Sequence, residues 1–98
     1  MRLLHNLITD VPGLHIGHAE NATICSGVTV LRAHGPMVVA ADVRGGGTGT
    51  RELDAIGPSG VVQEVHAVAL SGGSAFGLSA ATGVQAWLAE QGIGFAVR

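Results

Sequence analysis

Residues 65–70 are apolar except for His66, a run too short for a helix and uninterrupted enough for a strand covered on both faces, which predicts a central strand. Gly72 and Gly73 then mark a tight turn. Ser74 is placed to cap a helix that starts there, its hydroxyl accepting from an amide of the first turn. Phe76, Ala80, Val84, Trp87 and Leu88 recur at helical spacing as far as Gly92, which reads as the terminator of a single helix with one face on the sheet. Gly77, Ala80, Ala81 and Gly83 would let that helix approach its neighbours closely. The two glycines cost about 1 kcal/mol each relative to Ala, which close packing must offset.

Upstream, Leu14 and Ile16 alternate with His15 after the turn at Pro12 and Gly13, predicting a short half-buried strand. The β-branched residues 27–33 and the apolar residues 37–43 flank His34, Gly35 and Pro36, so they read as the two arms of an antiparallel hairpin, the second arm lying inside the sheet. Residues 52–60 form a turn-rich connector without a helix, residues 61–65 a short helical turn, and residues 94–98 the start of a further strand. No repeat or domain boundary interrupts residues 1–98, which read as a single segment.

Composition changes the picture in one respect. Only 12% of the 98 residues are charged and 47% are hydrophobic, with 16 glycines, where about 25% charge is usual. Such a chain has too little charge to coat a free-standing domain, so its surface is expected to be covered by more polypeptide or by partner subunits. Five arginines and no lysine at a net charge of −2 leave no basic face for nucleic acid or anionic membrane, and neither is expected as a partner. The one cysteine, Cys25, excludes an internal disulfide and reads as a free buried thiol in a reducing compartment. The N-terminal leucines are interrupted by His5 and Asn6, so no signal peptide is predicted, and no run approaches the length of a membrane span. A cytoplasmic protein is expected.

Candidate chemistry lies in two glycine-rich stretches. Counting from Gly72, the dinucleotide fingerprint requires a glycine where Ser74 stands, and the nucleophile elbow requires one at Phe76, so each fails by one residue. What remains is a strand-to-helix turn whose amides could hold an anion, with Gly72, Gly73 and Ser74 as binding candidates. The loop from Arg44 to Arg51 lacks the lysine of a phosphate-binding P-loop. Its two arginines could clamp a carboxylate or pair with Asp42, Glu52 or Asp54. His15 and His18 have a spacing that suits metal only on a helix, which Gly13, Gly17 and the alternation oppose, so surface histidines and no metal are expected. Asn21-Ala22-Thr23 matches a glycosylation tripeptide that matters only in a secreted chain.

Taken together, Pro12-Gly13-Leu14-His15-Ile16-Gly17-His18-Ala19, Gly27-Val28-Thr29-Val30, Asp42-Val43-Arg44-Gly45-Gly46-Gly47-Thr48-Gly49-Thr50-Arg51-Glu52 and Leu70-Ser71-Gly72-Gly73-Ser74-Ala75-Phe76-Gly77-Leu78 resemble the start of the L-aminopeptidase/D-esterase family. That family also contains β-peptidyl aminopeptidases and nylon-oligomer hydrolases. The resemblance implies an α/β fold of the α+β kind, part of a four-layer αββα sandwich, and a self-processing N-terminal-nucleophile hydrolase acting without a cofactor on small peptides, amides or esters. It also implies a homo-oligomer. A member of the family is several times longer, and its cleavage site and Ser or Thr nucleophile fall beyond Arg98, so no catalytic residue is assigned to this chain. The expected partner is the rest of the hydrolase chain or a second subunit. The alternative is a small anion-binding module, or a structural subunit with no catalysis of its own.

Overall fold

A computed structural model describes residues 4–97. After a single 3-10 turn at Ile8–Asp10, the chain forms β1 (Leu14–Asn21), β2 (Ser26–Met37) and β3 (Val65–Ser71), with a second 3-10 turn at Asp54–Ile56. Two helical pieces follow, α1 (Ser74–Gly77) and α2 (Ala80–Glu90). The architecture is a small α+β unit: a three-stranded antiparallel sheet of order β1-β2-β3 with α2 against it.

The hairpin is not the one that residues 27–33 and 37–43 predict. β2 pairs instead with β1, from Leu14 opposite Ala33 to Asn21 opposite Ser26. The reversal is made by the segment that carries the glycosylation tripeptide: the Asn21 side chain accepts from Thr23 N at 3.0 Å, and Cys25, at φ 52°, donates its amide to Ala22 O at 3.3 Å. An Asx turn, which asparagine makes by mimicking the backbone, therefore decides the pairing. Cys25 sits exposed on that turn, not buried.

His34, Gly35 and Pro36 do not reverse the chain; they form an irregularity within β2. The register with β3 jumps from Arg32 opposite Ala67 to Met37 opposite Val65, so the extra residues bow out and Pro36, which has no amide to give, avoids the ladder. Residues 38–43 then form no strand, and Val38 is 83% exposed. β2, rather than β3, is the central strand, and β3 lies at an edge of the sheet among the described residues. Residues 61–64 are irregular where a helical turn was expected, the turn at Asp54–Ile56 falls in the supposed helix-free connector, and residues 94–97 form no strand, Arg98 lying outside the described residues.

The single helix predicted from Ser74 is broken at Leu78 and Ser79. Leu78 N, Ser79 N, Ala81 N and Thr82 N all bond to carbonyls three residues back, so the chain tightens there and α2 starts on a new phase. That is why the expected apolar face splits: Leu88 is buried and Ala80 and Val84 half-buried, whereas Phe76, before the break, is 93% exposed and Trp87 is partly exposed. Gly92 does terminate the helix. At φ 70° it donates to Ala89 O while Ile93 donates to Leu88 O at 2.9 Å, the paired closure of a Schellman motif.

Residues opposite one another in register share a face, so the sheet sorts into two sides. One side carries Val28, Val30, Arg32, Ala67 and Ala69, and α2 covers it, with the Arg32 guanidinium 5.0 Å from the Trp87 ring. The other side carries Leu14, Ile16, Leu31 and Val68, all half-buried, and Leu70, which is 64% exposed. The accessible surface is 7731 Å² for 9.8 kDa, against about 5,200 Å² for a closed monomer of that mass. The radius of gyration is likewise 15.0 Å, against roughly 12.6 Å for a compact chain of this length. No helix of the described residues is long and apolar enough to cross a membrane.

Apolar side chains as open as Leu70, Val38, Val61 and Phe76, on a surface this large for the mass, should drive association. On its own, the 98-residue chain is expected to sediment as an oligomer or aggregate and to bind a hydrophobic dye. A monodisperse monomer that leaves the dye dark would contradict that reading of the surface.

Candidate functional site

The turn after β3 is a tightly constrained piece of backbone. Gly72 donates its amide to Gly27 O at 3.0 Å, holding the turn onto the central strand. Gly73 has φ 91°, the left-handed conformation that glycine enters without strain, and Ser74 follows at φ 56°, which costs a non-glycine residue about 1–2 kcal/mol. Gly73, not Ser74, is the N-cap of α1, and no side chain caps it. The capping role read for Ser74 fails because its own backbone is already left-handed rather than extended, so its hydroxyl does not reach the first-turn amides.

Close approach of backbone to backbone completes the turn. Gly77 donates to Gly73 O at 2.9 Å, and its Cα lies so near that a β-carbon added there would run into Gly72 O. Ser71 Oγ donates to Gly77 O at 3.0 Å, tying the end of β3 to the end of α1. On the other side, a β-carbon on Gly72 would meet Ser26 Oγ at 2.8 Å. An open concavity of about 330 Å³ lies beside the turn, between Ser26, Val28, Ser71, Gly72, Phe76 and Ala80 among others.

The two arginines of the glycine loop go different ways. Arg44 Nε donates to Asp42 Oδ2 at 2.7 Å in a pair exposed on both sides, which contributes no more than about 1 kcal/mol. Arg51 is half-buried and spans the start of α2: Nη1 donates to Leu78 O at 3.2 Å and Thr82 Oγ1 at 2.7 Å, and Nη2 to Gln85 Oε1 at 2.8 Å. Neither Glu52 nor Asp54 is its partner. The guanidinium therefore joins the loop to the point where α1 breaks from α2 and takes up the Leu78 carbonyl that the break leaves without a regular helical bond. Sequence alone did not reveal this link, because Leu78, Thr82 and Gln85 meet Arg51 only once the chain has folded back.

That clamp should be measurable. Arg51→Ala is expected to destabilise the intact protein by about 1–2 kcal/mol in urea unfolding, and Arg51→Lys to recover only part of it, since one ammonium cannot replace the guanidinium fork. Arg44→Ala should stay within about 0.5 kcal/mol. Equal effects at the two positions would mean that the helix contacts of Arg51 carry no stability.

Other candidate chemistry is dispersed. His66 and Ser71 lie on the same strand an odd number of residues apart and hence face opposite sides of the sheet, so the imidazole is no base for that hydroxyl. His15 Nε2 and His34 Nδ1 are 3.4 Å apart with rings edge to face, and His18 Nδ1 is 2.8 Å from Thr29 Oγ1. Among the described residues no group of three or more His, Cys, Asp or Glu side chains could hold a metal ion.

The sequence profile of peptidase family S58 matches residues 6–96. An uncharacterized aminopeptidase of Mycobacterium tuberculosis is 44% identical over 100 aligned residues, covering 94% of this chain and 29% of that protein. An aminopeptidase of Mycobacterium leprae, likewise uncharacterized, is 45% identical over 93 residues, or 87% of this chain and 26% of its own. A 6-aminohexanoate-oligomer endohydrolase of an Agromyces species is 37% identical over 82 residues, 84% of this chain and 21% of that enzyme. The chain thus spans less than a third of the length of each of these relatives.

Proposed function

The chain belongs to peptidase family S58, and from that premise we propose that it is the N-terminal portion of an amide hydrolase that acts on N-terminal amino acid amides, esters or short peptides. The observation that carries the proposal is the family match over residues 6–96, together with relatives named aminopeptidase and oligomer endohydrolase of which this chain corresponds to 21–29%. In this reading a Ser or Thr beyond Arg98 becomes the nucleophile once self-cleavage frees its α-amino group to act as base. The protein works without a cofactor, in the cytoplasm, as a homo-oligomer.

The apolar face of the sheet opposite α2 supports the architecture that goes with this reading. Leu14, Ile16, Leu31, Val68 and Leu70 offer one apolar side to a second sheet while α2 occupies the other, so the present unit supplies one helix layer and one sheet layer of an αββα sandwich. Gly73 and Ser74 enter the proposal as substrate-binding residues through their backbone amides, and Gly72, whose amide is held by Gly27 O, through the close approach that its missing side chain allows. Arg44, held only by an exposed pair, can exchange Asp42 for a substrate carboxylate, and Arg51 orders the loop that carries it.

Self-cleavage is the direct test. Expressed at its full encoded length, the protein should separate into two fragments, and N-terminal sequencing of the smaller should begin at Ser or Thr. A chain that stays whole under conditions where it is folded, or a new terminus at another residue type, would overturn the proposal.

A further inference from the structure

Between the bowed segment of β2 and the C-terminal end of α2 lies a cavity of about 260 Å³, lined by Arg32, Ala33, His34, Pro36, Leu88 and Ile93 together with His66 and nearby glycines. We infer that this cleft binds a small aliphatic carboxylate, with the Arg32 guanidinium on the carboxylate and the apolar wall formed by Leu88 and Ile93 on the tail. This does not depend on the hydrolase reading, and the cleft is separate from the glycine turn.

Charge is one-sided in the cleft. Arg32 and His34 supply its ionisable groups on the helix-covered side, and no Asp or Glu among the described residues lines it, in a chain whose net charge is −2. Arg32 has no acidic partner among the described residues, where the one ion pair is Arg44 with Asp42. Its guanidinium is nonetheless held in place by a cation–π contact, 5.0 Å from the Trp87 ring, and donates no hydrogen bond among the described residues, which leaves its N–H groups for a ligand. His34 shares the helix-covered side with Arg32. Its Nδ1 is engaged by His15 Nε2 at 3.4 Å, so Nε2 remains outside that pair.

The negative end of α2 opposes an anion here, but it is muted. The Schellman closure occupies the carbonyls of Leu88 and Ala89 with the amides of Ile93 and Gly92, which reduces the number of bare acceptors an anion would meet. Size and lining choose the class. At about 260 Å³ the cleft lies just below the ~300–1,000 Å³ usual for small-molecule sites, which suits a few heavy atoms. Leu88, 9% exposed and the most buried of the described residues, and half-buried Ile93 favour a ligand with a hydrocarbon end over a fully hydrated oxyanion such as phosphate.

Isovalerate, its neutral amide isovaleramide and inorganic phosphate would be titrated into the full-length protein by isothermal calorimetry. Isovalerate should bind, the amide and phosphate at least about tenfold more weakly, and Arg32→Gln should weaken isovalerate about tenfold or more, as expected for loss of a charge-assisted fork. Arg32→Lys should fall between, keeping the charge without the fork. Absence of isovalerate binding, an amide that binds equally well, phosphate that binds as tightly, or an Arg32→Gln protein that binds like the unmodified one would each overturn the inference. Should Arg32→Gln fail to fold by circular dichroism, the acid and amide comparison on the unmodified protein decides it.

Discussion

The isolated 98-residue chain is expected to release no product from amino acid p-nitroanilides, D-amino acid esters or β-dipeptides, and hydrolysis is expected only when a separately made downstream segment is added. Amide hydrolysis of this kind requires a nucleophile, a base within hydrogen-bond reach and donors for the developing oxyanion, and loss of the nucleophile costs several orders of magnitude in rate. The chain offers hydroxyls without a base. Ser71 Oγ already donates its proton to Gly77 O at 3.0 Å, and His66 faces the other side of the sheet. Ser74 stands on a left-handed backbone next to no titratable side chain of its own element. Turnover by the chain alone that vanishes in Ser71→Ala or Ser74→Ala would place the nucleophile in the turn and defeat this expectation. Activity restored by mixing would locate the missing groups in the added segment.

Gly77→Ala should be the most damaging methyl group that can be added to the chain near the turn. Its β-carbon would collide with Gly72 O, and backbone cannot swing aside as a flexible side chain can. The loss should reach about 3 kcal/mol or more, at the upper end of overpacking effects, in urea unfolding of the intact protein. Two neighbours set the scale. Gly73→Val, at φ 91° and with a β-carbon 3.2 Å from Gly77 Cα, should cost 1 kcal/mol or more through backbone strain, roughly as for other left-handed positions. Gly83→Ala, in α2 with nothing within 4 Å of the new methyl, should instead stabilise by about 0.5–1 kcal/mol. A Gly77→Ala protein as stable as Gly83→Ala would mean that the turn opens freely and that the contact of Gly77 with Gly72 is not a constraint.

Residues 65–78 could be read as strand, turn and helix start because the signals there are local: a short apolar run, glycines that tolerate a left-handed backbone, and helical spacing that ends at Gly92. The composition also points to a chain that cannot coat itself, in line with the open apolar side chains of Leu70, Val38, Val61 and Phe76. Other features depend on residues far apart in sequence. Apolar runs at 27–33 and 37–43 have equal claims as hairpin partners until the Asn21 turn brings β1 alongside β2, and strand pairing energy lies in the cross-strand neighbours, not in either run alone. The helix that periodicity draws as continuous is broken where Arg51 reaches Leu78 O from 27 residues away. Local pattern thus determined the elements around the glycine turn, whereas strand order, the helix break and the company each arginine keeps were settled by packing, because each is a contact whose energy exists only after the chain has closed on itself.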